Sequence, residues 1–407
     1  MHRRAFLSAL PAIALAPALC RAGAAAATRT SLDDIAPLRE RLPASMQPWL
    51  ASDEHRVEII LERRDARGLW HAARHGQRWA RAWAPAASVA KLPMALLMAE
   101  RVHALGGDAS VRLALDAAPA TGEWGDGEPL QAPFARDLAR TFAVSDNVPY
   151  NRWYELLGAD PLHARLAAMG YPHVRLVGRL GSSDIDANCR TGGGRIEAAD
   201  GRVLAVEPPR HARARSFPFG GATVGRAWRH DDGSVDPQPR DMRHANFLPL
   251  ADSLRMLRAF VRPDSVPAAQ RWRIGGAMRA QLLHALALRP RDSVAPRYDP
   301  ATHGDGHARF LFHGADGRAP APDGIAVAGK SGQAYGFVSE VAHVVEPARG
   351  IEFLLAARVQ ANADGIVNDD RYDYDTVARP LLAAIGQAAF ALARAAPAHA
   401  GSGTMPA

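Results

Sequence analysis

The order of strand-like and helix-like segments along the chain is the feature that most limits its fold. Five segments have the apolar, β-branched character of strands, two near the start of the chain and three near its end: 57–61, 69–75, 325–328, 336–345 and 351–359. Apolar residues at helical spacing fill the middle, over 92–105, 130–170 and 250–261. The strands from both ends are therefore expected to form one antiparallel sheet flanked by helices, with an all-α lobe inserted between them. This α/β (α+β) arrangement leaves a cleft between sheet and lobe, where sites tend to form.

The two termini and one internal segment depart from this plan. Residues 1–27 combine paired arginines, an apolar stretch and a run of alanines, the pattern of a cleaved export signal of the twin-arginine type. A plain export signal with two arginines is the alternative. The catalytic domain is predicted over 28–395, with a helical lobe at about 92–190 and a Gly-, Arg- and Pro-rich insertion at about 190–247. A disordered tail is predicted over 396–407. The sequence thus predicts an exported protein, periplasmic or extracellular.

Composition narrows the possible partners. The formal net charge is +7, but the charges are scattered, without a run of five or six like charges or interleaved aromatic residues. Nucleic acid is therefore not an expected partner. No apolar run after the N-terminus approaches the roughly 18 residues that span a bilayer, so no stable membrane insertion is expected, and a monomer is predicted. The sixteen histidines show no metal-ligand spacing, with His303 and His307 set among glycines. No metal or other cofactor is predicted.

Three short motifs follow one another along the chain: Ser88-Val89-Ala90-Lys91, Ser145-Asp146-Asn147 and Lys330-Ser331-Gly332. Each is weak alone. In this order, with the first at the start of a predicted helix and the third between predicted strands, they resemble the signature of class A β-lactamases and penicillin-binding proteins. The resemblance covers roughly residues 30 to 390, apart from the insertion. It implies a β-lactamase- or transpeptidase-like fold and an acyl-enzyme mechanism.

The distribution of lysine supports the same interpretation independently. Lysine and arginine total 49, yet Lys91 and Lys330 are the only lysines in the chain. An exposed positive charge can be supplied by either residue, but arginine does not lose its proton and its planar fork does not replace a compact ammonium. Lysine is therefore retained at the two positions where the motifs require it.

The residue types at the first motif predict a nucleophile and its base. Ser88 is a weak nucleophile until a neighbouring base removes its proton, and Lys91 lies one helical turn away on the same face. A lysine that is desolvated beside other cations can be neutral enough to serve. The resemblance implies two further catalytic groups. Ser145 would relay a proton to the leaving group, and the backbone amide of Gln333 would be the second oxyanion donor, beside that of Ser88.

The remaining motif residues are predicted to bind substrate. By the resemblance, Asn147 would orient the substrate and Lys91, while Lys330, Ser331 and Gly332 would hold the substrate carboxylate. Asp146 is assigned to structure rather than to chemistry. Lys330-Ser331-Gly332 has serine where threonine is common, which keeps the hydroxyl.

One family feature is missing. Class A β-lactamases carry a Glu-x-x-Leu-Asn segment after the second motif, and its glutamate activates the water that hydrolyses the acyl-enzyme. The corresponding stretch here, VRLVGRLGSSDIDANCR (174–190), lacks it. Asp184 and Asp186 are the nearest carboxylates in the sequence. Acylation is therefore expected, and efficient penicillin hydrolysis is in doubt.

The sequence favours a cofactor-independent serine hydrolase of this family that acts on a β-lactam or a related amide or ester. Such an enzyme would be associated with antibiotic resistance. A second possibility is a peptidase or transpeptidase that acts on D-Ala-D-Ala peptides derived from peptidoglycan. A third, of another class, is a sensor or binding module that is acylated by β-lactams and turns over little.

Overall fold

The structure is a computed structural model, and it describes residues 35–64, 69–314 and 316–395. The predicted export signal and C-terminal tail, and the turn expected at 65–68, lie outside the described residues. Ten α-helices occur in the described part: α1 (Ala36–Arg39), α2 (Gln47–Ala51), α3 (Lys91–Ala104), α4 (Phe134–Ala143), α5 (Val148–Leu157), α6 (Ala159–Ala168), α7 (Ile185–Asn188), α8 (Leu250–Val261), α9 (Gly276–Ala287) and α10 (Arg379–Ala395).

Sixteen strands occur in the same ranges, many of them only two or three residues long. They are β1 (Glu58–Arg64), β2 (Trp70–His75), β3 (Arg112–Leu115), β4 (Gln131–Pro133), β5 (Arg190–Thr191), β6 (Gly194–Glu197), β7 (Val203–Glu207), β8 (Arg210–His211), β9 (Thr223–Val224), β10 (Ala227–Arg229), β11 (Val235–Asp236), β12 (Arg240–Asp241), β13 (Ala326–Ala334), β14 (Phe337–Glu346), β15 (Ile351–Gln360) and β16 (Ile366–Val367).

The main sheet joins the two ends of the chain, as predicted. Its five strands are all antiparallel, in the order β13-β14-β15-β1-β2. The third motif was expected between two strands, but it lies within the single strand β13. Pairing of β13 with β14 continues to Ala334 opposite Phe337, where Tyr335 and Gly336, both at positive φ, form a two-residue turn.

Side chains of the sheet alternate between two apolar cores, one on each face. In β15, Phe353, Leu355 and Ala357 pack in the core that also contains residues of α1 and α10. Leu354 and Ala356 face the opposite core, which contains α3, α8 and most of the inserted lobe. This period of two is expected for a strand that is covered by helices on both faces. The sheet is therefore the central layer, and α3 carries the first motif on one of its faces.

The inserted lobe is mainly helical but not all-α as predicted. A four-stranded sheet, in the order β4-β3-β6-β7, packs with α4 and α5. The prediction failed here because strands of three to five residues are too short to show a reliable alternation. The helices themselves agree with the prediction: α8 covers 250–261, and breaks at Gly158 and Gly170 bound α6.

The 190–247 segment is built from short strands and is tied into the rest of the molecule. The hairpin β6–β7 turns around Asp200-Gly201 and the hairpin β10–β11 around Asp232-Gly233, as the two Asp-Gly pairs predict. Strand β6 pairs with β3 of the lobe, and β10 pairs in parallel with β16 near the C-terminus. Sheet pairing therefore fixes the insertion against both halves of the molecule.

The C-terminal helix begins with a π-helical turn, Tyr374–Ala378, and continues as α10 past Pro380. By length and composition, Tyr374–Ala395 could cross a membrane, but half of its most apolar stretch is buried inside the protein. It packs on β15, and Leu381, Leu382 and Ile385 are fully buried there. This environment is that of a core helix.

Candidate active site

Ser88 lies in a 3₁₀ turn, Ala87–Ala90, that leads directly into α3. Strand β13 approaches this turn closely at Gly332. A Cβ at that glycine would lie 2.6 Å from the backbone nitrogen of Ser88 and 2.9 Å from that of Val89. Only glycine allows this approach, so the third motif and the nucleophile turn are in direct backbone contact. Ser88 itself is half-buried.

Lys91, the first residue of α3, is fully buried behind the serine. Its Nζ donates a hydrogen bond to Ser88 Oγ at 2.8 Å and others to the backbone oxygen and the Oγ of Ser145, the last at 3.2 Å. Burial lowers the pKa of Lys91 to about 7, against the opposing charges of Asp146 and then Glu123. Near neutral pH, roughly half of the molecules therefore have an unprotonated amine that can take the proton of Ser88.

Ser145 connects the two lysines. Its Oγ accepts hydrogen bonds from Lys91 Nζ and, at 2.8 Å, from Lys330 Nζ. Its φ of 63° lies in the left-handed region, which is unusual for a residue with a Cβ. Asp146 holds this bend, since it accepts hydrogen bonds from Arg140 Nε at 2.8 Å and from the Val148 backbone at 2.9 Å. These contacts agree with a structural role for Asp146. Strain of this kind is maintained only when the surroundings enforce it.

Lys330 is also fully buried, on β13. Besides Ser145, its Nζ donates to the backbone oxygen of Ser331 at 2.7 Å. Burial lowers the pKa of Lys330 well below the usual lysine value, and the charges of Lys91 and Arg309 add to this effect, while Glu340 opposes it. The charge of Lys91, which shares the Ser145 hydroxyl, disfavours the protonated form of Lys330. The pair therefore carries less than two full positive charges near neutral pH.

The predicted binding residues are brought to the same place, with two differences from expectation. Ser331 donates its hydroxyl proton to the backbone oxygen of Ala308 at 2.7 Å, so its own O–H points away from a bound carboxylate. Asn147 lines the cleft at the start of α5, but among the described contacts Lys91 bonds to the two serines and not to Asn147. Gln333 accepts a hydrogen bond from Arg379 at 2.8 Å through its side-chain oxygen.

Two cavities meet at Ser88. Both are lined by Ser88 and Gln333, but they extend in different directions. The smaller, of about 340 Å³, contains Ser145 and Ser331. The larger, of about 840 Å³, contains Asn147. Ser88 therefore lies where the two cavities join.

Several residues that line the cleft were not identified as site residues from the sequence. The smaller cavity contains His307, Arg318 and Arg379, and the larger contains Glu123 and Trp228. Burial lowers the pKa of His307, and the charges of His303, Arg379 and Lys330 add to this effect. The position of His307 near Lys330 was not predicted from sequence. Each of these residues reaches the cleft through long-range packing. The sequence around it therefore gives no sign of its position.

The two aspartates considered as replacements for the missing glutamate lie outside the cleft. Asp184 caps α7 by accepting the Ala187 backbone N–H at 2.9 Å, and Asp186 forms an exposed ion pair with Arg190 at 2.8 Å. Neither lines either cavity. The part of this loop that faces the cleft is 177–183, and it contains no carboxylate. The structure therefore offers no base for deacylation at the expected place.

Comparison with known proteins agrees with this geometry. Residues 76–204, which contain the first two motifs, match the family described as the beta-lactamase enzyme family. This segment of the chain is therefore similar to that family. Comparison with curated proteins gives no match.

Solved structures of similar proteins show low identity. A β-lactamase from Sphaerobacter thermophilus is 16% identical over 90% of this chain and 99% of its own, with a TM-score of 0.47. L2 complexed with relebactam is 18% identical over 88% and 99%, with a TM-score of 0.48. PBP-A is 16% identical over 88% and 98%, with a TM-score of 0.47. At this level of identity, the contacts within this chain are what define its site.

Proposed function

We propose that the protein is a serine hydrolase that forms an acyl-enzyme on Ser88, with a β-lactam or a related amide or ester as substrate. The observation that carries this proposal is the hydrogen bond of 2.8 Å between Ser88 Oγ and Lys91 Nζ, an amine with a pKa of about 7. A nucleophile paired with a base that is neutral at working pH is what acyl transfer requires.

The contacts support a complete acylation step. Neutral Lys91 takes the hydroxyl proton of Ser88, and Oγ forms a bond to the carbonyl carbon. The oxyanion that develops would be held by the backbone N–H groups of Ser88 and Gln333. When the tetrahedral intermediate breaks down, Ser145 gives its proton to the leaving nitrogen and recovers one from Lys91. The hydrogen bonds that join Ser145 to Lys91 and Lys330 provide this path.

Capture of an anionic substrate group is supported by the smaller cavity. Lys330 lies behind it, and Arg379 and Arg318 line it. Because the hydroxyl proton of Ser331 is donated to Ala308, the donors for a carboxylate would come from Arg379 or follow rotation of Ser331. Arginine suits this purpose, since its fork matches a carboxylate.

Slow deacylation belongs to the same proposal. The loop at 177–183 contributes no carboxylate to the cleft, and Asp184 and Asp186 are engaged elsewhere. Water attack on the acyl-enzyme would therefore receive no base from this loop. A peptidase acting on D-Ala-D-Ala peptides is the second candidate, favoured by the larger cavity, since about 840 Å³ exceeds what the side chain of a simple penicillin needs. A sensor that remains acylated would differ from both by its lack of turnover.

Intact-protein mass spectrometry with a panel of β-lactams tests the proposal. We expect one adduct per chain, mapped to Ser88, and no adduct on Ser88→Ala. Labelling at another residue, or undiminished labelling of the variant, would contradict the assignment. Release of D-Ala from a D-Ala-D-Ala peptide then separates a peptidase from a β-lactam hydrolase. We further propose export through the segment 1–27, which N-terminal sequencing of the secreted protein would test.

A further inference from the structure

The proton path divides the cleft into two halves with different roles. Ser145, which would protonate the leaving nitrogen, lines the smaller cavity and not the larger one. The leaving group must therefore extend into the smaller cavity, because its nitrogen faces Ser145. The acyl half of the substrate, which stays on Ser88, must extend into the larger cavity beside Asn147. This orientation rests on the proposed function.

The charged groups that line the larger cavity are not equally available to a substrate. Arg179 is 3% exposed and is bound to Glu155 and to backbone oxygens. The guanidinium of Arg240 lies over the Trp228 ring, 4.6 Å from its centroid. The other acidic and basic lining residues are Glu123, Asp231, Asp370, His230 and His244, and three tyrosines, Tyr335, Tyr372 and Tyr374, also line this cavity. The three carboxylates in this half thus outnumber the two guanidiniums, and the charge of Arg179 is already neutralised by Glu155.

Glu123 is the carboxylate in this half whose position is best defined. Its backbone N–H donates to the Leu180 oxygen at 2.9 Å, and its own backbone oxygen accepts from Asn151 Nδ2 at 3.0 Å. Its side chain lies across Gly181, where an added Cβ would come within 2.7 Å of Glu123 Cγ and 3.3 Å of Oε1. Within the described residues, its carboxylate forms no hydrogen bond or ion pair with the protein. It is exposed at the wall of the cavity.

The charge of Glu123 also reaches the catalytic group. After Asp146, it is the second charge that raises the pKa of buried Lys91 against the effect of burial. A carboxylate that acts on Lys91 also acts on a charged substituent of an acyl group bound between them. The geometry therefore combines a fixed backbone, an unpaired carboxylate and a position in the cavity that Ser88 also lines.

We propose that Glu123 is a specificity-determining residue that selects substrates with a positive charge on the acyl half. An ammonium on the acyl group gains a partner when it enters the larger cavity, while a second carboxylate on the acyl group is repelled. The substrate class is thus a dipolar amide or ester, anionic at its leaving group and cationic at its acyl group.

Three penicillins of nearly equal shape test this inference. The side chain of penicillin G is neutral, ampicillin carries an ammonium on the same carbon, and carbenicillin carries a carboxylate there. At about pH 6.5 the ammonium is largely protonated. We expect second-order acylation rates on Ser88 in the order ampicillin, penicillin G, carbenicillin, with about two- to fivefold per unit of charge. About 1 M NaCl should compress the order, since it screens exposed charges.

The matched variants are Glu123→Gln and Asp126→Asn. Glu123→Gln should bring the three rates within about twofold of one another, because it removes the charge and keeps the shape. Its effect on Lys91 is common to all three penicillins, so the ratios isolate recognition of the substituent. Asp126 is an exposed carboxylate of the same loop that does not line the cavity, and its variant should keep the wild-type order.

The outcomes separate the two proposals. In one outcome, all three penicillins acylate Ser88 at rates that do not follow their charge, and in another the order of rates is the same in Glu123→Gln. Either result overturns the role of Glu123 and leaves the serine hydrolase proposal intact. Failure of every penicillin to label Ser88 overturns the proposed function, and the inference with it.

Discussion

Replacement of Lys91 by arginine tests the mechanism most directly. Everywhere except at Lys91 and Lys330 the chain uses arginine for positive charge, so a result at this position cannot be attributed to loss of charge. The amine of Lys91 is fully buried and its pKa is lowered from 10.5 to about 7. The arginine pKa is above 12. Lys91→Arg therefore keeps the cation and removes the base.

The magnitude follows from the fraction of neutral amine. With a pKa of about 7, roughly half of the Lys91 amines are neutral at pH 7, whereas with an unshifted value only about one in 3,000 would be. Burial, the main cause of the lowered pKa, disfavours the protonated amine. It increases the supply of base by about 10³-fold. General-base loss costs about 10²–10⁴-fold in rate, so Lys91→Arg should lower acylation by a factor in this range.

The assay is the acylation rate of Ser88, followed by stopped-flow or by intact mass across pH. For the wild type the rate should rise with pH and reach half its maximum near the pKa of Lys91, because only the neutral amine accepts the proton. The variant should show no inflection there. Arginine is larger than the buried lysine, at a cost of about 1–3 kcal/mol in stability, so circular dichroism and thermal unfolding accompany the kinetics.

A second variant distinguishes loss of the base from a folding defect. Lys91→Met keeps a similar length without a charge, and removes the desolvation cost of a buried amine. It should therefore fold at least as stably as the wild type near neutral pH and be equally slow in acylation. Acylation of either variant within a few-fold of wild type would refute the assignment of Lys91 as the base.

Two further outcomes are expected. With nitrocefin, product should form in a burst near one equivalent and then at a low steady rate, because Asp184 and Asp186 lie outside the cleft. Fast linear turnover without a burst would show that another group activates water. Lys330→Arg should raise the substrate concentration needed for half-maximal acylation more than it lowers the limiting rate, since a planar guanidinium does not fit the buried site beside Ser145. An unchanged half-saturation concentration would argue against a role for Lys330 in substrate capture.

The main sheet and the first motif were accessible from sequence because their signals are local. Strand and helix periodicity depend on neighbours a few residues apart, and the predicted strands agree with β1, β2, β14 and β15 within a few residues. The spacing of Ser88 and Lys91 within one helical turn also fixes their proximity without tertiary information.

Other features depended on contacts between distant segments. Long-range hydrogen bonding sets the order of strands in the lobe sheet and the parallel pairing of β10 with β16. The sequences of such short strands do not indicate their pairing partners. The left-handed backbone of Ser145 is imposed by the surrounding contacts of Arg140 and Asp146, since serine alone disfavours that conformation.

The sequence by itself thus determined the three motifs, their two lysines and the absence of a Glu-x-x-Leu-Asn segment after the second motif. Only the tertiary structure decided how far their pKa values fall, because desolvation depends on every segment packed around Lys91 and Lys330. It also decided which carboxylates line the cleft. Asp184 and Asp186 lie closer to the expected position along the chain, but Glu123 reaches the cleft because its loop hydrogen-bonds to Leu180 and Asn151. Proximity in the fold, rather than along the chain, sets the field in which the reaction takes place.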